Sequence, residues 1–519
     1  MPRKLINNFF GGKSVDSRLQ VPHQHELAAH FDIFTSPRKL IPHREMEANE
    51  TTSQDITVFA YQSDQLYGLG CVGGGTPEFW KIFEKSGDLI TSAWTASSTG
   101  AGGINRNENA LVPYNVNGVD FLFGFGSTRY IWSYNIDVPA VNDNAYDTGT
   151  FSTCANGIVT RDGLLLMPFD NKIAKKDGGS SATDNWTTAL TLPNQYQITD
   201  IVEWGDYVCV AVKPKAAVNR MLPSKMFLWD KVSEDITDTV DFGEGDLELI
   251  GNIEGIIVGI MLHGGATSVA IKPRLLVKVW QSGSNAREEI KIEVPLSTDI
   301  PLAITANKCK AMDDNKMVFG LDITINGTEE TALWAVGRVN SDAPWALTKY
   351  IKVDNDTAVT SIQGVYKLGN YFFVAHNNDG SINVTNDQPS NSFRCTSAIV
   401  TQKLDGSDED PLNAFKLKQL KSVAVYFEPL KGLTKVNLYM RKDHESSWTT
   451  IKLFTEAAST ANTKRLIAGE LADGTNFAQY RDIQFKVETI GQAGGGADSA
   501  SILGIEYEYD VMDNDDVNE

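Results

Sequence analysis

Cysteine is scarce in this sequence, and its copies form no recognisable pattern. The five cysteines are Cys71, Cys154, Cys209, Cys309 and Cys395, which are widely spaced and include no CxxC pair. An odd number without paired spacing predicts neither a disulfide framework nor a zinc site. We therefore expect no metal and no covalent staple to hold the fold.

Long apolar runs are also absent. No segment approaches the roughly 18 apolar residues of a membrane-spanning helix. The start MPRKLINNFF meets Gly11, Gly12 and Lys13 before the apolar region of a signal peptide forms. We expect a chain that is made and kept in a cytosol, without membrane insertion.

Basic residues are outnumbered. The chain has 46 Lys and Arg against 66 Asp and Glu, a net charge of −20. Such a surface repels phosphate backbones and anionic lipid, which disfavours general nucleic-acid or membrane-surface binding. It remains compatible with DNA that passes through a lumen, because a wall of like charge does not retain a polyanion.

What the sequence does contain is typical of a folded protein. Hydrophobic residues make up 42% and charged residues 22% of the 519 positions. This composition excludes wholesale disorder, and the length favours two to four domains.

A short motif recurs along the chain, consisting of a turn followed by an apolar, β-rich run. Successive copies lie roughly 43 to 60 residues apart, close to the blade period of a β-propeller. The copies are SDQLYGLG from Ser63, NGVDFLFGFG from Asn117, RDGLLLMPF from Arg161, WGDYVCVAV from Trp204, IEGIIVGIML from Ile253, DDNKMVFGLD from Asp313 and LGNYFFVAH from Leu368. We predict a β-propeller over residues 55–403 with about seven blades, and insertions leave six or eight open.

Helical signals are few. Residues 24–34 (QHELAAHFDIF) are compatible with a short helix, whereas EFWKIFEK after Pro77 is predicted as a strand of the first blade. Residues 1–54 show little alternation and repeat PRKL, so we expect an extended N-terminal arm that is disordered or lies along another surface.

The pattern of apolar and polar residues changes in the last quarter of the chain. Residues 404–415 contain DGSDED and are predicted as a linker, and residues 513–519 as an acidic tail. Between them, residues 416–512 alternate apolar and polar positions, as in KVNLYMRK and RDIQFKVETI. This predicts an antiparallel, jelly-roll-like β-sandwich with one wet face.

Several motifs have both a functional and a packing interpretation. Gly68, Gly70 and Gly73 match GxGxxG in letters, but β-like sequence follows where a dinucleotide site needs a helix. His23, His25, His30 and His43 are concentrated in the arm, where HxH on an extended chain is able to chelate a metal. We favour a solvated or packed arm, because no Cys or carboxylate pattern accompanies these histidines.

Three acidic loops contain oxygen ligands suited to calcium, at residues 354–356, 377–380 and 405–410. None has the full twelve-position calcium loop, so turn chemistry explains them better. DHESSWT at 443–449 is similar to an Asp-box hairpin without its glycines, and Trp448 is interpreted as a packed or rim aromatic rather than a sugar platform. No catalytic motif is identified, so we predict no catalytic, cofactor-binding or metal-binding residue.

The arm FDIFTSPRKLIPHREMEAN, the segment KMFLWDKVSEDITDTVDFGEG and the ending QFKVETIG…ILGIEYEYD together resemble virion structural proteins of tailed bacteriophages. These proteins combine a β-propeller with a C-terminal β-sandwich. The resemblance implies a non-enzymatic tail nozzle or hub that forms a homo-oligomeric ring below the portal and adaptor, gives passage to genomic DNA and supports fibres. It also implies a place in the virion after assembly in the host cytoplasm.

Two other functions remain open from the sequence. One is a carbohydrate-binding or glycan-cleaving propeller at the tail tip, because propellers are able to carry paired carboxylates. The second is a capsid-decorating protein. A cellular propeller scaffold that binds peptides is less favoured, because the sequence has no regular WD or kelch signatures.

Overall fold

The computed structural model describes part of the chain. The described residues are 3–6, 25–36, 39–43, 46–52, 54–71, 80–86, 92–100, 110–126, 129–215, 222–263, 274–293, 303–304, 309–322, 324–325, 328–329, 331–353, 359–377, 380–385, 396–406, 411–430, 434–443, 445, 447–455, 463–491 and 500–512. Within them the protein is all-β, and its single helical turn is a 3-10 helix, Pro411–Phe415.

The strands of the described residues are short and follow one another closely. In chain order they are β1 (Arg3–Ile6), β2 (His25–Ala29), β3 (Phe31–Asp32), β4 (Ile41–Pro42), β5 (Met46–Thr51), β6 (Asp55–Gln62), β7 (Gln65–Cys71), β8 (Trp80–Lys85), β9 (Thr95–Gly100), β10 (Val112–Val116), β11 (Val119–Phe125), β12 (Tyr130–Asn135), β13 (Ala140–Asp147), β14 (Ile158–Val159), β15 (Leu164–Phe169), β16 (Lys172–Asp177), β17 (Trp186–Thr191), β18 (Tyr196–Trp204), β19 (Tyr207–Pro214), β20 (Ser224–Trp229), β21 (Asp238–Gly243), β22 (Asp246–Ile253), β23 (Ile256–His263), β24 (Arg274–Trp280), β25 (Arg287–Glu293), β26 (Ala303–Ile304), β27 (Lys310–Asp313), β28 (Lys316–Asp322), β29 (Thr324–Ile325), β30 (Thr328–Glu329), β31 (Ala332–Gly337), β32 (Ala346–Lys349), β33 (Ile362–Leu368), β34 (Tyr371–His376), β35 (Ser381–Thr385), β36 (Thr396–Thr401), β37 (Lys418–Phe427), β38 (Lys435–Lys442), β39 (Thr449–Thr455), β40 (Arg465–Ala468), β41 (Gln479–Tyr480), β42 (Ile483–Ile490) and β43 (Ile502–Val511).

The chain divides into two units. The ring unit comprises Glu47–Leu333 and Thr357–Thr385, and the terminal unit comprises Met1–Met46, Trp334–Asp356 and Asn386–Glu519. Each unit is therefore assembled from segments that are far apart in the sequence.

The ring unit contains a series of four-stranded antiparallel sheets. Five of the sheets use consecutive strands, namely β6–β9, β10–β13, β14–β17, β18–β21 and β22–β25. A sixth has the order β33-β34-β35-β5, so its outer strand comes from residues that precede the first sheet. The hairpin of β27 and β28 lies between the fifth and the sixth sheet in the sequence.

The recurring motif of the sequence coincides with the first hairpin of each of these sheets. Tight turns with left-handed backbone join the first two strands, as at Asn117-Gly118 (φ 53° and 85°) and Glu254-Gly255 (φ 52° and 81°). Such turns match the twist of a hairpin and favour Asn and Gly. The predicted strand over EFWKIFEK is also confirmed, because Trp80–Lys85 forms β8.

The sheets follow one another around a closed circle. The contacts that join successive sheets run from β6 to β10, β10 to β14, β15 to β18, β18 to β22, β22 to β27, β27 to β33 and finally β33 back to β6. A series of small sheets that closes on itself in this way is propeller-like.

Both faces of a sheet are buried against its neighbours, which β15 illustrates. Leu165 and Met167 pack in one cluster with Phe123 of the preceding sheet, while Leu166 packs in another with Val210 of the following sheet. Burial of each such side chain contributes about 1.5–3 kcal/mol. This double burial explains why the motif is continuously apolar rather than alternating.

Within the described residues, the terminal unit contains two larger sheets and the short antiparallel pair of β3 and β4. One has the order β1-β43-β37-β40, with β41 also paired to β37, and the other includes β32, β2, β36, β42, β38 and β39 in that order. Burial alternates along β42 and β43, as predicted for sheets with one wet face. The Phe485 ring of one sheet lies 5.5 Å from the Tyr507 ring of the other.

Residues 1–54, expected as an extended arm, contribute strands to the sheets of their own chain. β1 pairs with β43, and β2 pairs with β36. The helix considered for residues 24–34 is wrong, because this segment contains β2 and β3. β2 pairs with β36, which lies far along the chain, and local helix or strand propensity does not reveal such a partner.

Candidate functional site: the centre of the ring unit

The ring unit has a cavity of about 360 Å³ between its first strands. Its lining combines apolar side chains with a few polar groups and comes from β6, β10, β27, β33 and residues 156–159. The lining residues include Val58, Pro113, Val159, Cys309, Lys310 and Tyr366. A volume of this size is at the lower end of the range for small-molecule sites.

Cys309 and Lys310 tie several sheets together beside this cavity. The Cys309 Sγ lies 3.3 Å from the Thr57 carbonyl oxygen on β6 and 3.0 Å from the Gln363 carbonyl oxygen on β33. Burial raises the pKa of the Cys309 thiol to about 12. The thiol is therefore protonated at neutral pH and acts as a hydrogen-bond donor rather than a nucleophile.

The neighbouring Lys310 reaches in another direction. Its ammonium forms an ion pair with Asp200 on β18 and donates to the Ile250 carbonyl oxygen on β22 at 2.6 Å. The Asp200 side chain is only 6% exposed and also accepts the backbone N–H groups of Ile201 and Ile250, each at 2.9 Å. A buried carboxylate is tolerated only with such partners.

Irregularities in the first strands make these links possible. The register shifts between Ile56 and Val58 in β6 and between Ile198 and Asp200 in β18. A bulge turns the extra residue away from the regular ladder. Thr199, at the second bulge, consequently donates its hydroxyl to the Leu247 carbonyl oxygen of the next sheet at 2.7 Å.

The hairpin turns at one end of the first strands carry mostly acidic residues. Asp64, Asp162, Asp206 and Glu254 lie in four of these turns and are exposed. Within this end, the Lys231 ammonium lies 2.8 Å from Asp162 and lowers the pKa of that carboxyl group. Trp204 Nε1 donates to the Gly255 carbonyl oxygen at 2.7 Å, which joins two consecutive turns.

The chemistry of the centre is therefore that of packing and hydrogen bonding. The thiol is protonated, and the ammonium is held by a carboxylate and a carbonyl group. Sequence reasoning did not single out Cys309, Lys310 or Asp200, because each lies in a segment that carries no motif. Their partners are between 54 and 252 positions away for Cys309 and up to 110 positions away for Lys310.

The GxGxxG letters do not form a phosphate-binding loop in the described part. Gly68 and Gly70 lie inside β7, and Gly73 lies outside the described residues. A Cβ on Gly70 would approach the Phe83 ring to 2.5 Å. These glycines make room for neighbouring side chains.

The histidines of the N-terminal segment are packed where the structure describes them. His30 is buried and its Nδ1 lies 3.3 Å from the Tyr350 carbonyl oxygen, while the His43 ring contacts the Tyr350 ring edge-on with 4.1 Å between centroids. Burial, followed by the charge of Lys349, lowers the pKa of His30 to about 3. His23 and the side chain of His25 lie outside the described residues.

Metal ligands are not gathered in the described residues, where no group of three or more His, Cys, Asp and Glu is placed to hold an ion. In the 377–380 loop, Asn377 Oδ1 accepts the Thr360 N–H at 2.8 Å, and the Gly380 carbonyl oxygen accepts the Thr52 N–H at 2.9 Å. Residues 354–356, 378–379 and 407–410 lie outside the described part.

Trp448 is covered by cations. Arg441 Cζ lies 4.6 Å and Lys486 Nζ 5.4 Å from its ring centroid. These contacts agree with the interpretation of Trp448 as a packed aromatic.

No helix of the described residues is long and apolar enough to cross a membrane.

Comparison with known proteins gives only weak structural similarities. No protein-family model and no curated protein matches the chain. Among solved structures it is similar to U3-55K, with 9% identity, a TM-score of 0.42, and coverage of 66% of this chain and 98% of the other. For BamB from Moraxella catarrhalis the values are 9%, 0.36, 65% and 97%, and for a glycoside hydrolase they are 10%, 0.29, 89% and 99%. At these TM-scores, the sheet topology described above carries the propeller-like assignment.

Proposed function

We propose that this protein is a structural component of a tailed-phage virion, a tail nozzle or hub. The ring unit is then a seven-bladed propeller, in which the β27–β28 hairpin supplies the core of the seventh blade. The terminal unit is a β-sandwich that faces outward or meets a fibre. The resemblance of the sequence to phage virion proteins motivates this proposal.

The observation that carries the proposal is the closure of the ring unit by β5. β5 is hydrogen-bonded to β35 in the last sheet and is followed in the chain by β6 of the first sheet, so it joins the two sheets. Closure removes free sheet edges and makes the body rigid. A rigid body whose centre is filled by links between sheets suits a load-bearing part better than an enzyme.

DNA passage belongs to the assembly in this proposal. A cavity of about 360 Å³ has the size of a small-molecule site and is far too small for a DNA duplex. The duplex therefore passes through an opening enclosed by several copies. The acidic net charge suits the wall of that opening, because it does not hold phosphates by counterion release.

Imaging of the purified full chain tests the proposal. We expect negative-stain micrographs to show closed rings with rotational symmetry, since heterologous interfaces that close give cyclic assemblies. Deletion of residues 1–24 removes β1 but keeps β2 and β5. We expect this variant to lose rings while its circular dichroism stays that of a folded β protein. Monomers alone at tens of micromolar protein would refute the assembly.

A further inference from the structure

The sheet of β36, β42, β38 and β39 has one face that is not part of the core. Along β38, Val436, Leu438 and Met440 are buried, while the alternate residues Asn437, Tyr439 and Arg441 are partly exposed. Cross-strand pairing places Lys486 opposite Tyr439 and Gln484 opposite Arg441. Side chains at paired positions share a face, so Tyr439, Arg441 and Lys486 lie together on the outer face of the sheet, while Gln484 beside them is buried and only 2% exposed.

Two cations converge on the aromatic rings of this outer face. Arg441 Cζ lies 4.6 Å and Lys486 Nζ 5.4 Å from the centroid of the Trp448 ring. The same Lys486 Nζ lies 4.4 Å from the Tyr439 ring centroid. Attraction between a cation and the face of an aromatic ring favours one ordered position of each long side chain.

Hydrogen bonds fix the cations further. Arg441 Nε donates to Gln484 Oε1 at 2.7 Å, and Lys486 Nζ donates to Glu488 Oε1 at 2.9 Å. Side chains that are ordered before a ligand arrives lose little entropy on binding. The outer face thus presents a preorganised guanidinium and ammonium beside two aromatic rings and the amide of Asn437, with the buried Gln484 holding Arg441 in place.

The charge of this face contrasts with that of the whole chain. The paired positions of β38 and β42 on this face carry three basic residues and one acidic residue, in a protein of net charge −20. The basic residues are Lys435, Arg441 and Lys486, and the acidic residue is Glu488. A densely charged polyphosphate would meet this local attraction and the repulsion of the remaining surface. A polymer with sparser carboxylates gains the local contacts with less repulsion.

We propose that this outer face binds a carboxylated polysaccharide. The planar guanidinium of Arg441 matches a carboxylate, and Lys486 adds a second donor. The partly exposed ring of Tyr439 offers apolar contact to sugar C–H groups, and the partly exposed amide of Asn437 suits hydroxyl groups. Alternate residues along β38 are about 7 Å apart, which provides contacts to successive sugars. This assignment does not depend on the tail proposal.

Calorimetric titration with a hyaluronan oligosaccharide and its carboxyl-reduced form tests the assignment on the full chain. We expect binding of the acidic form alone, and a loss of about tenfold or more in affinity for Arg441→Gln and for Lys486→Gln. Arg465→Gln is the matched control, because Arg465 Cζ lies 5.7 Å from the Tyr426 ring in the other sheet of the unit. This control should bind as the parent protein does.

Four results with the parent protein or the Arg465→Gln control would overturn the assignment. They are no heat of binding up to millimolar sugar, equal binding of the carboxyl-reduced form, equal weakening by Arg465→Gln, and tighter binding of a polyglutamate peptide than of the sugar. Thermal unfolding of each variant separates a lost contact from a lost fold. A variant that melts as the parent does and still binds the acidic sugar fully also contradicts the proposal.

Discussion

Replacement of Lys310 by Met tests how the centre of the ring unit is held. The ammonium that this change removes is 16% exposed and contacts the Asp200 carboxylate and the Ile250 carbonyl oxygen. Methionine keeps most of the side-chain volume but leaves Asp200 as a buried charge with two backbone N–H donors. Breaking a buried pair in this way costs about 3–5 kcal/mol. We expect a cost near the lower end of this range, about 3 kcal/mol, because Lys310 borders the cavity and water is able to replace part of the contact.

A second substitution separates charge from packing. In Lys310→Met with Asp200→Asn, no charge is buried. Ile201 and Ile250 donate to different oxygens of Asp200, so the single amide oxygen keeps one of these two hydrogen bonds and the NH2 group faces the other N–H. Because one hydrogen bond is lost, we expect the double variant to recover about 1 kcal/mol relative to Lys310→Met alone, as coupled neighbours do in a mutant cycle. Lys225→Met is the control, because the Lys225 Nζ lies 5.9 Å from the Tyr196 ring and the change should cost about 0.5 kcal/mol or less.

Hydrogen exchange is the suitable assay, because a chain of two units need not unfold in one step. Lys310→Met should speed exchange of the β18 and β22 amides more than that of the β38 and β42 amides. A loss below about 1 kcal/mol in the opening free energy of β18 and β22, or a double variant no more stable than Lys310→Met, would refute the argument that Asp200 depends on this ammonium.

Three other predictions concern pH and backbone conformation. Burial raises the pKa of Asp313, but hydrogen bonds from Lys367 and Lys316 outweigh it and hold this pKa at about 2. The stabilisation by Asp313, up to about 2 kcal/mol, is therefore present above pH 4 and is lost as the pH falls towards 2. Asp313→Asn should flatten this part of a stability profile measured by denaturant titration. The lowered pKa of His30, about 3, also makes acid destabilising, because the unfolded state binds a proton that the folded state does not. Below about pH 6.5 the terminal unit should therefore lose up to about 1.4 kcal/mol of stability per pH unit. His30→Asn should abolish this pH dependence in the hydrogen exchange of the β2 and β36 amides. Gly380→Ala places a Cβ 2.2 Å from the Thr52 carbonyl oxygen at φ +82°, so a protease should cleave the chain near β5 sooner than in the parent protein. Gly118→Ala is the control, because its Cβ meets open space at φ +85°. This change should cost only about 1 kcal/mol and leave cleavage near β5 unchanged.

The first hairpins of the sheets could be read from the sequence because their signal is local. A turn such as Asn117-Gly118 followed by VDFLFGF specifies both the left-handed turn and the strand after it. Each sheet of the ring unit repeats this arrangement, so the spacing of the motif predicts a propeller-like series. The one-sided strands β42 and β43 were equally readable from their alternation.

The pairings of residues 1–54 could not be read in the same way. β5 pairs with a strand more than 300 positions later, and nothing in its polar sequence, MEANET, identifies that partner. The central links had no signal either, because Asp200 and Lys310 are ordinary charged residues until the fold brings them together. Local patterns specify strands and turns, whereas partners depend on the global arrangement.

The position of β5 has a consequence for how the protein is made. During synthesis β5 leaves the ribosome early, but its partner β35 (Ser381–Thr385) follows only after five complete sheets have been translated. β1 and β2 wait still longer for β43 and β36. The nascent chain therefore carries exposed strands through most of its elongation, and the final joining of early to late residues is a slow, non-local step.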